Sequence, residues 1–511
     1  MAVRRPTFKP YYQSQLMAIP PTLDELVAKG HPVRIVSDVI DRINIQTLLD
    51  AYHIKGSSSY HPQMLLKVLV YGYVSNVYSS RKLEVACREN INFMWLSGMS
   101  YPDHNTINRF RGARLKHALR SVFEEVVKLL AKEGVLSIED VYTDGTKIEA
   151  NANKYTFVWK KAIQTNKEKM RVALKDIWEY AQGIAKSEDS LPEPDDLTEI
   201  NTQSVQATVD KLNDVLSNKS QVNKKMKAKL RYVTKNYPTK IAQYEHQEQL
   251  LGDRNSYSKT DQDATFMRMK EDHMKNGQLK PGYNIQISTS NQYIVNYTIH
   301  PNPTDTKTLP AHLQQHESSF GNILKSITAD AGYGSEENYH LLAGKDIQAY
   351  VKYGLFDKEQ NESYKGKKLF SVDKLHYNNE QDCYICPMGQ RMDCIGTFKQ
   401  KTSTGFEQHI KKYQAKNCSR CPLNGACHKA KGNRIIQVND RLDVYKQQAY
   451  ELLNSESGIK KRKQRCHDVE PVFANIKNNH NFRRFMLRGK EKVSIEWGLL
   501  AIAQNLRKKA A

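Results

Sequence analysis

Along the first 125 residues apolar positions recur every three to four residues, the spacing of a helix with one buried face. In HPVRIVSDVIDRI, Val36, Val39, Ile40 and Ile43 fall on one such face. HPQMLLKVLVYGYVSNVYSSRKLEVACRENINFMWLSG continues as two or three short helices. In SYPDHNTINRFRGARLKHALR, Asp103 stands behind Pro102 as the predicted N-cap. The helix that follows presents Asn105, Asn108, Arg109, Arg111 and Arg114, while Ile107, Phe110 and Leu115 face inward. Amides and arginines near the start of a short helix suit the reading of DNA bases; a basic surface helix of an ordinary bundle carries the same pattern.

The pattern then changes. SIEDVYTDGTKIEA, at 137–150, alternates β-branched and polar residues, and Asp144-Gly145 predicts a strand running into a tight hairpin. From about 155 to 260 the chain reads as Lys-rich helix, broken by the acidic, Pro-containing SEDSLPEPDD, and an inserted helical hairpin is the simplest account. PGYNIQISTSNQYIVNYTIH predicts two strands around a turn at TSNQ. A helix around TKTLPAHLQQHESSF, a strand in ILKSITADAGYGS ending at Asp330, a helix in EENYHLLAGK and a strand in IQAYVKY follow. A Cys-rich stretch at 376–438 precedes a helical end, in which residues 460–492 carry eleven Lys or Arg against three Asp or Glu.

With the helical insert set aside, the order is three strands, helix, strand, helix, strand, Cys-rich insert, helix. That is the connectivity of an α/β core of ribonuclease-H-like topology, a mixed sheet flanked by helices. The expected division is a helical amino-terminal DNA-binding domain at 1–130 and a catalytic core at 137–155 and 256–375. A helical insert at 156–255 interrupts that core, a zinc-ribbon-like Cys-rich insert occupies 376–440, and carboxy-terminal helices at 441–511 complete it.

Charge sharpens the picture. Lys and Arg number 77 against 55 Asp and Glu, a net of +22 with a pI near 9.4. So large a surplus repels itself in a compact chain and points to a polyanionic partner, DNA or RNA; a basic ribosomal or chaperone-like protein is the plainer alternative. No run reaches the ~18 apolar residues of a membrane span, and MAVRRPTFKPYYQ lacks the apolar stretch of a signal peptide. A cytoplasmic, nucleoid-associated protein is expected. Of eight cysteines, six fall between 383 and 427 while Cys87 and Cys466 stand apart. The cluster reads as a metal site rather than a disulfide framework. Cys383/Cys386 and Cys418/Cys421 form two CxxC knuckles able to hold one structural Zn²⁺, with Cys427 a fifth candidate and Cys394 or His428 able to substitute. Such binding contributes on the order of 10 kcal/mol to folding. Reduced knuckles packing an insert without metal are the alternative.

In the predicted sheet the first and fourth strands are neighbours, so Asp144 and Asp330 come side by side near its carboxyl edge. A Glu on the late helix then packs over them, and Glu470 is the best placed. Phosphodiester cleavage needs an activated nucleophile and a stabilised leaving oxygen, which two Mg²⁺ or Mn²⁺ ions ~4 Å apart supply. Without cations, carboxylates at ~4–5 Å repel by roughly 3–4 kcal/mol per pair at a dielectric near 20. Lys477 lies two helical turns past Glu470, and Arg465, Arg483 and Arg484 extend a basic track. Pro471 predicts a helix start or kink. Asp261, Asp263, Asp305 and His467 are weaker candidates, better read as loop, cap or surface residues.

YTDGTKIEANAN, TADAGYGS and VEPVFANIKNNHNFRRFMLRG resemble the signature blocks of DDE transposases from bacterial insertion sequences, in the branch with a Cys-rich segment before the final Glu. HPQMLLKVLVYGYVSNVYSSRKLEVAC and PDHNTINRFR resemble the amino-terminal domain of the same transposases. The resemblance covers nearly the whole chain and is weakest at about 160–255. By position it implies that Asp144, Asp330 and Glu470 bind the catalytic metal. In related transposases a Tyr, an Arg, the Glu and a Lys form a last-helix signature. Glu470 and Lys477 match its second half, Cys466 replaces the Arg with Arg465 adjacent, and the Tyr is out of register.

Three functions compete. One is an active transposase that binds the double-stranded ends of its element, cleaves them and joins their 3′-hydroxyls to target DNA, as a homodimer because two ends need two active sites. The second is a catalytically silent DNA-binding regulator derived from such an enzyme, against which three intact carboxylates argue. The third is a ribonuclease-H-type nuclease that never rejoins strands.

Overall fold

The computed structural model of the protein describes residues 22–52, 59–185, 200–216, 222–269, 277–361 and 370–511. MAVRRPTFKPYYQ and SEDSLPEPDD lie outside the described residues. By internal contacts the chain divides into two units, residues 1–130 with 497–511, and residues 131–496.

The first unit is helical. Among its helices are α1 Leu23–Leu26, α2 Pro32–Arg42, α3 Gln46–Leu49, α4 Pro62–Val74, α5 Ser80–Glu89, α6 Ile91–Ser97, α7 His104–Arg109 and α8, which begins at Leu115. His31-Pro32 and His61-Pro62 start α2 and α4 alike: the imidazole Nδ1 accepts from the N–H two residues on, and Pro takes a position whose N–H has no helical partner. Val36, Val39, Ile40 and Ile43 are buried as their spacing predicts, and Asp103 caps α7 by accepting from Thr106 N at 2.9 Å. Residues from Trp497 onward, expected to complete the other unit, belong here. The reason is an apolar surface on both sides: Trp497, Leu499, Leu500, Ile502 and Leu506 are all buried, and Arg507 donates to the carbonyls of Tyr73 and Val74 at the end of α4.

The second unit is built on a six-stranded mixed sheet. Its strands are β1 Asp140–Glu149, β4 Thr265–Arg268, β5 Leu279–Ser290, β6 Tyr293–His300, β7 Ser326–Ala329 and β8 Gln348–Val351. The order is β4-β5-β1-β7-β8, with β6 also on β5. β1 is antiparallel to β5 and parallel to β7, which is parallel to β8. This mixed sheet with flanking helices is compatible with the ribonuclease-H-like core expected. Asp144-Gly145 makes no hairpin: both lie inside the continuous β1, paired with Ile287 and Gln286. The turn chemistry instead operates at Asn291 (φ 52) and Gln292 (φ 66), the two left-handed residues that join β5 to β6.

Helix α12, Leu309–Phe320, packs on β6, and buried His312 binds Ser288 and Thr298, both at 2.8 Å. Helix α13, Glu336–Gly344, links β7 to β8. After α14, Phe356–Glu359, helices α15, Asp440–Asn454, and α16, Glu456–Ala474, follow, and α16 lies against β1, β5, β7 and β8. Two inserts leave this frame. Among its described residues the first holds three helices, α9 Lys160–Ala185, α10 Thr202–Leu216 and α11 Lys224–Leu251, rather than a hairpin, around Leu174, Trp178, Val209, Leu212, Val233 and Ile241. It springs from the short pair β2 Phe157–Trp159 and β3 Ser256–Ser258. The second is an antiparallel sheet of β9 His376–Asn378, β10 Cys383–Ile385, β11 Arg391–Lys401, β12 Glu407–Ala415 and β13 Ile435–Val438. Its buried core is Met392, Tyr413, Ala415, Ile436 and Val438.

Candidate active site

The parallel pairing of β1 with β7 sets Thr143 opposite Ala329. One residue further along both strands stand Asp144 and Asp330, so register alone makes these carboxylates neighbours. Each has one oxygen on the next backbone N–H: Asp144 Oδ1 accepts from Gly145 at 2.7 Å, and Asp330 Oδ1 from Ala331 at 2.8 Å. The strand order is what brings together two residues 186 positions apart in the chain.

Glu470 stands on α16 and is joined to Asp144 through Arg465. That helix starts at Glu456 and runs through Pro471, so of the helix start or kink expected there the start does not occur and Pro471 is an interior proline. Pro471 offers no N–H to the carbonyl of His467. Gln292 supplies the missing donor, its Nε2 giving to that carbonyl at 3.0 Å while its backbone N–H gives to Asp468 Oδ1 at 3.1 Å. The β5–β6 turn therefore clamps α16 just before Glu470. Past Ala474 the helix opens into a π-helical turn, Asn475–Asn479, and Lys477 in it is buried.

Arg465 lies among the carboxylates. Its Nη1 donates to Asp144 Oδ2 at 3.2 Å and its Nη2 to Glu470 Oε1 at 3.3 Å. Burial disfavours the guanidinium charge, but Asp144, Asp330 and Glu470 together hold its pKa above the ordinary value. Arg465, one position before the place where the signature arginine was expected, thus joins two of the three expected carboxylates.

A fourth carboxylate stands close by. Asp305 Oδ1 accepts from Asn284 Nδ2 and Gln286 Nε2, each at 2.8 Å. A Cβ on Gly145 would meet Gln286 Nε2 at 2.4 Å and Asp305 Oδ1 at 2.5 Å, so the residue after Asp144 is glycine because Asp305 and Gln286 fill the space. Gln286 Oε1 accepts in turn from the hydroxyl of buried Tyr333, three residues past Asp330. Full burial raises the Tyr333 pKa well above its usual value, and the charges of Asp305, Asp144 and Asp330 add to that. Asp305 therefore links both Asp-bearing segments, closer to the site than its sequence context suggested. Asp261 and Asp263 do structural work instead: Asp261 accepts from Tyr283 Oη and Gly489 N, and Asp263 from Lys490 N. His467 is exposed on α16.

Among the basic candidates, Arg483 and Arg484 are exposed, and Arg484 donates to the carbonyls of Ala150 and Ala152 just past β1. In the first unit Asn108 and Arg109 are exposed, but Arg111 is buried and donates to Tyr78 O at 2.9 Å and Asn108 Oδ1 at 3.3 Å. A guanidinium so placed serves the fold rather than a DNA contact; the π-helical turn at Phe110–Arg114 rotates it away from the exposed face.

Carboxylates are the donors Mg²⁺ and Mn²⁺ prefer, and a cation already bridges two of them, so the residues fit a divalent metal in kind. They do not form a closed ligand sphere: among the described residues no three His, Cys, Asp or Glu are grouped to hold an ion.

A mixed sheet of this order with carboxylates on adjacent strand ends fits the class of ribonuclease-H-like nucleases. Residues 385–510 match the transposase DDE domain family, and residues 21–113 match a transposase domain (DUF772). The resemblance to a DDE transposase of an insertion sequence is thereby shown from both ends of the chain. The first match takes in Arg465, Glu470 and Lys477, while Asp144 and Asp330 stand outside it. No curated protein matches the chain. No helix among the described residues is long and apolar enough to cross a membrane.

Proposed function

We propose that the protein binds the ends of its DNA element, cleaves them by metal-dependent hydrolysis and joins the freed 3′-hydroxyls to target DNA. The observation that carries this reading is the juxtaposition of Asp144 and Asp330 by strand register, with Arg465 bridging Asp144 to Glu470. Asp144, Asp330 and Glu470 would hold divalent cations, Mg²⁺ or Mn²⁺, two per site, which activate the attacking oxygen and stabilise the leaving one. The chain's own residues supply the rest. Asp305, through Gln286 and Tyr333, fixes the two Asp-bearing segments relative to each other. Arg465 presents a flat fork that suits phosphate as well as carboxylate. Arg483 and Arg484, both exposed, lie beyond Glu470 on the path of the DNA backbone, while buried Lys477 faces the interior, and Asn108 and Arg109 contact DNA from the first unit. The working form is a homodimer on paired ends, acting on nucleoid DNA in the cytoplasm.

The test is cleavage and joining of labelled double-stranded DNA carrying the element's ends in Mg²⁺, with light scattering of the complex. Wild type should cut and join as two chains per paired ends. Asp144→Ala, Asp330→Ala and Glu470→Ala should each bind the ends yet lose at least about 100-fold in rate, the equivalent of about 3 kcal/mol of transition-state stabilisation. Wild type that binds the ends but never cuts in Mg²⁺ or Mn²⁺ would instead make it a DNA-binding regulator. Cutting without joining would make it a nuclease.

A further inference from the structure

The Cys-rich insert has too little apolar interior for its length. Its buried core is five residues, against fourteen in the helical insert. A sheet with so small a core needs another source of stability, commonly disulfides or a metal. None of the eight cysteines is in a disulfide, and six of them gather in this insert.

Four of those thiols converge. Cys386, Cys418, Cys421 and Cys427 line a single cavity of about 20 Å³, room for about one water-sized occupant. Each thiol comes from a turn shaped around it. In Cys386-Pro-Met-Gly-Gln390, Gly389 takes φ +78°, Cys386 N donates to Gln390 O, and Gln390 N donates back to Cys386 Sγ at 3.3 Å. Arg434 N donates to Cys418 Sγ at 3.3 Å, and Arg434 Nη1 to Cys427 Sγ at 3.0 Å. Arg420, between Cys418 and Cys421, takes φ +61°, and the N–H of Cys421 turns back to the carbonyl of Cys418. Three of the four sulfurs therefore face N–H donors, one of them a guanidinium. His428 lies on the same wall.

We propose that Cys386, Cys418, Cys421 and Cys427 bind one structural Zn²⁺ as four thiolates, releasing their protons as it enters. The thiols line the cavity without closing on its centre, since among the described residues no such group is drawn to coordinating distance, and metal entry would contract them. Cys383 is not part of the set: it is fully buried in β10 and lies outside the cavity lining. Cys394 is exposed on β11 and also lies outside it. The CxxC pairs of the sequence thus contribute one cysteine and two, and Cys427 supplies the fourth sulfur. The site holds the insert together and stands apart from the carboxylates, so it does not depend on the transposase reading.

The test is metal content of the full-length protein purified under reducing conditions without added metal, followed by reconstitution with Co²⁺. We expect one zinc per chain, and a Co²⁺ form with the absorption of tetrahedral thiolate ligation. Cys421→Ser and Cys427→Ser should lose most of the zinc and the thiolate-to-cobalt band, while Cys383→Ser and His428→Ala keep both. A wild-type protein that takes up neither zinc nor cobalt would overturn the site. Equal loss in Cys383→Ser and Cys421→Ser, or retention in Cys427→Ser with loss in His428→Ala, would overturn this ligand set. Ligand variants that fail to fold leave the wild-type cobalt spectrum and the two control variants to decide.

Discussion

Asp144 and Asp330 stand beside strand residues that are buried in a six-stranded sheet, Thr143 and Ala329 among them. Cys386, Cys418 and Cys421 stand on turns at the margin of a sheet with five buried core residues. The carboxylates are held by the strands and helix beneath them and already have a protein cation, Arg465, between two of their number. The thiols have N–H donors around them but no core of comparable size to hold their turns apart. The difference teaches that residues with similar appetite for metal answer different needs. As proposed, the first site would be a fixed frame on which metal performs chemistry, and in the second metal would substitute for missing apolar burial.

Arg465→Met breaks the first half of that comparison most sharply. It removes the cation from a mostly buried cluster and leaves the carboxylates facing one another. Losing one partner of a buried pair costs about 3 kcal/mol, so urea unfolding in chelator should show a drop of that order. Mg²⁺ should recover part of it, because a divalent ion takes over the neutralising role. Unchanged stability would show that the sheet tolerates the bare carboxylates without Arg465. A smaller effect is expected for Gly145→Ala, whose Cβ would lie 2.4–2.5 Å from Gln286 and Asp305. Overpacking of this kind costs about 1–3 kcal/mol. It should lower the unfolding midpoint and cleavage together, with no change in zinc content. If stability were untouched, Asp305 would be free to move and could not be the link between the two Asp-bearing segments.

Much of this was legible in the chain because it rests on local pattern. Alternation marked β5 and β6 on either side of their turn, and the apolar run before Asp330 marked β7. Strand order then placed Asp330 next to Asp144. What escaped was set by partners far away in sequence. Asp-Gly is a strong turn signal, yet Gly145 is small because Asp305 and Gln286 occupy its side-chain space. Pro471 reads as a helix start, yet Gln292 supplies the hydrogen bond that lets the helix continue. Arg111 looks like a DNA contact until the π-helical turn carries it inward. Cys383 has the spacing of a knuckle but lies within a strand, where its side chain is buried. For Gly145 and Pro471 a long-range contact overrode a short-range signal, and for Arg111 and Cys383 the local backbone did so.

Asp144, Asp330 and Glu470 are proposed to serve a common metal centre. Replacing Mg²⁺ with Fe²⁺ and adding ascorbate and peroxide makes bound iron generate radicals that cut the nearby backbone. Cuts are expected around residues 144, 330 and 470 in the same preparation, suppressed by excess Mg²⁺ and lost in Asp144→Ala. Cuts confined to other segments, or unchanged in Asp144→Ala, would contradict it.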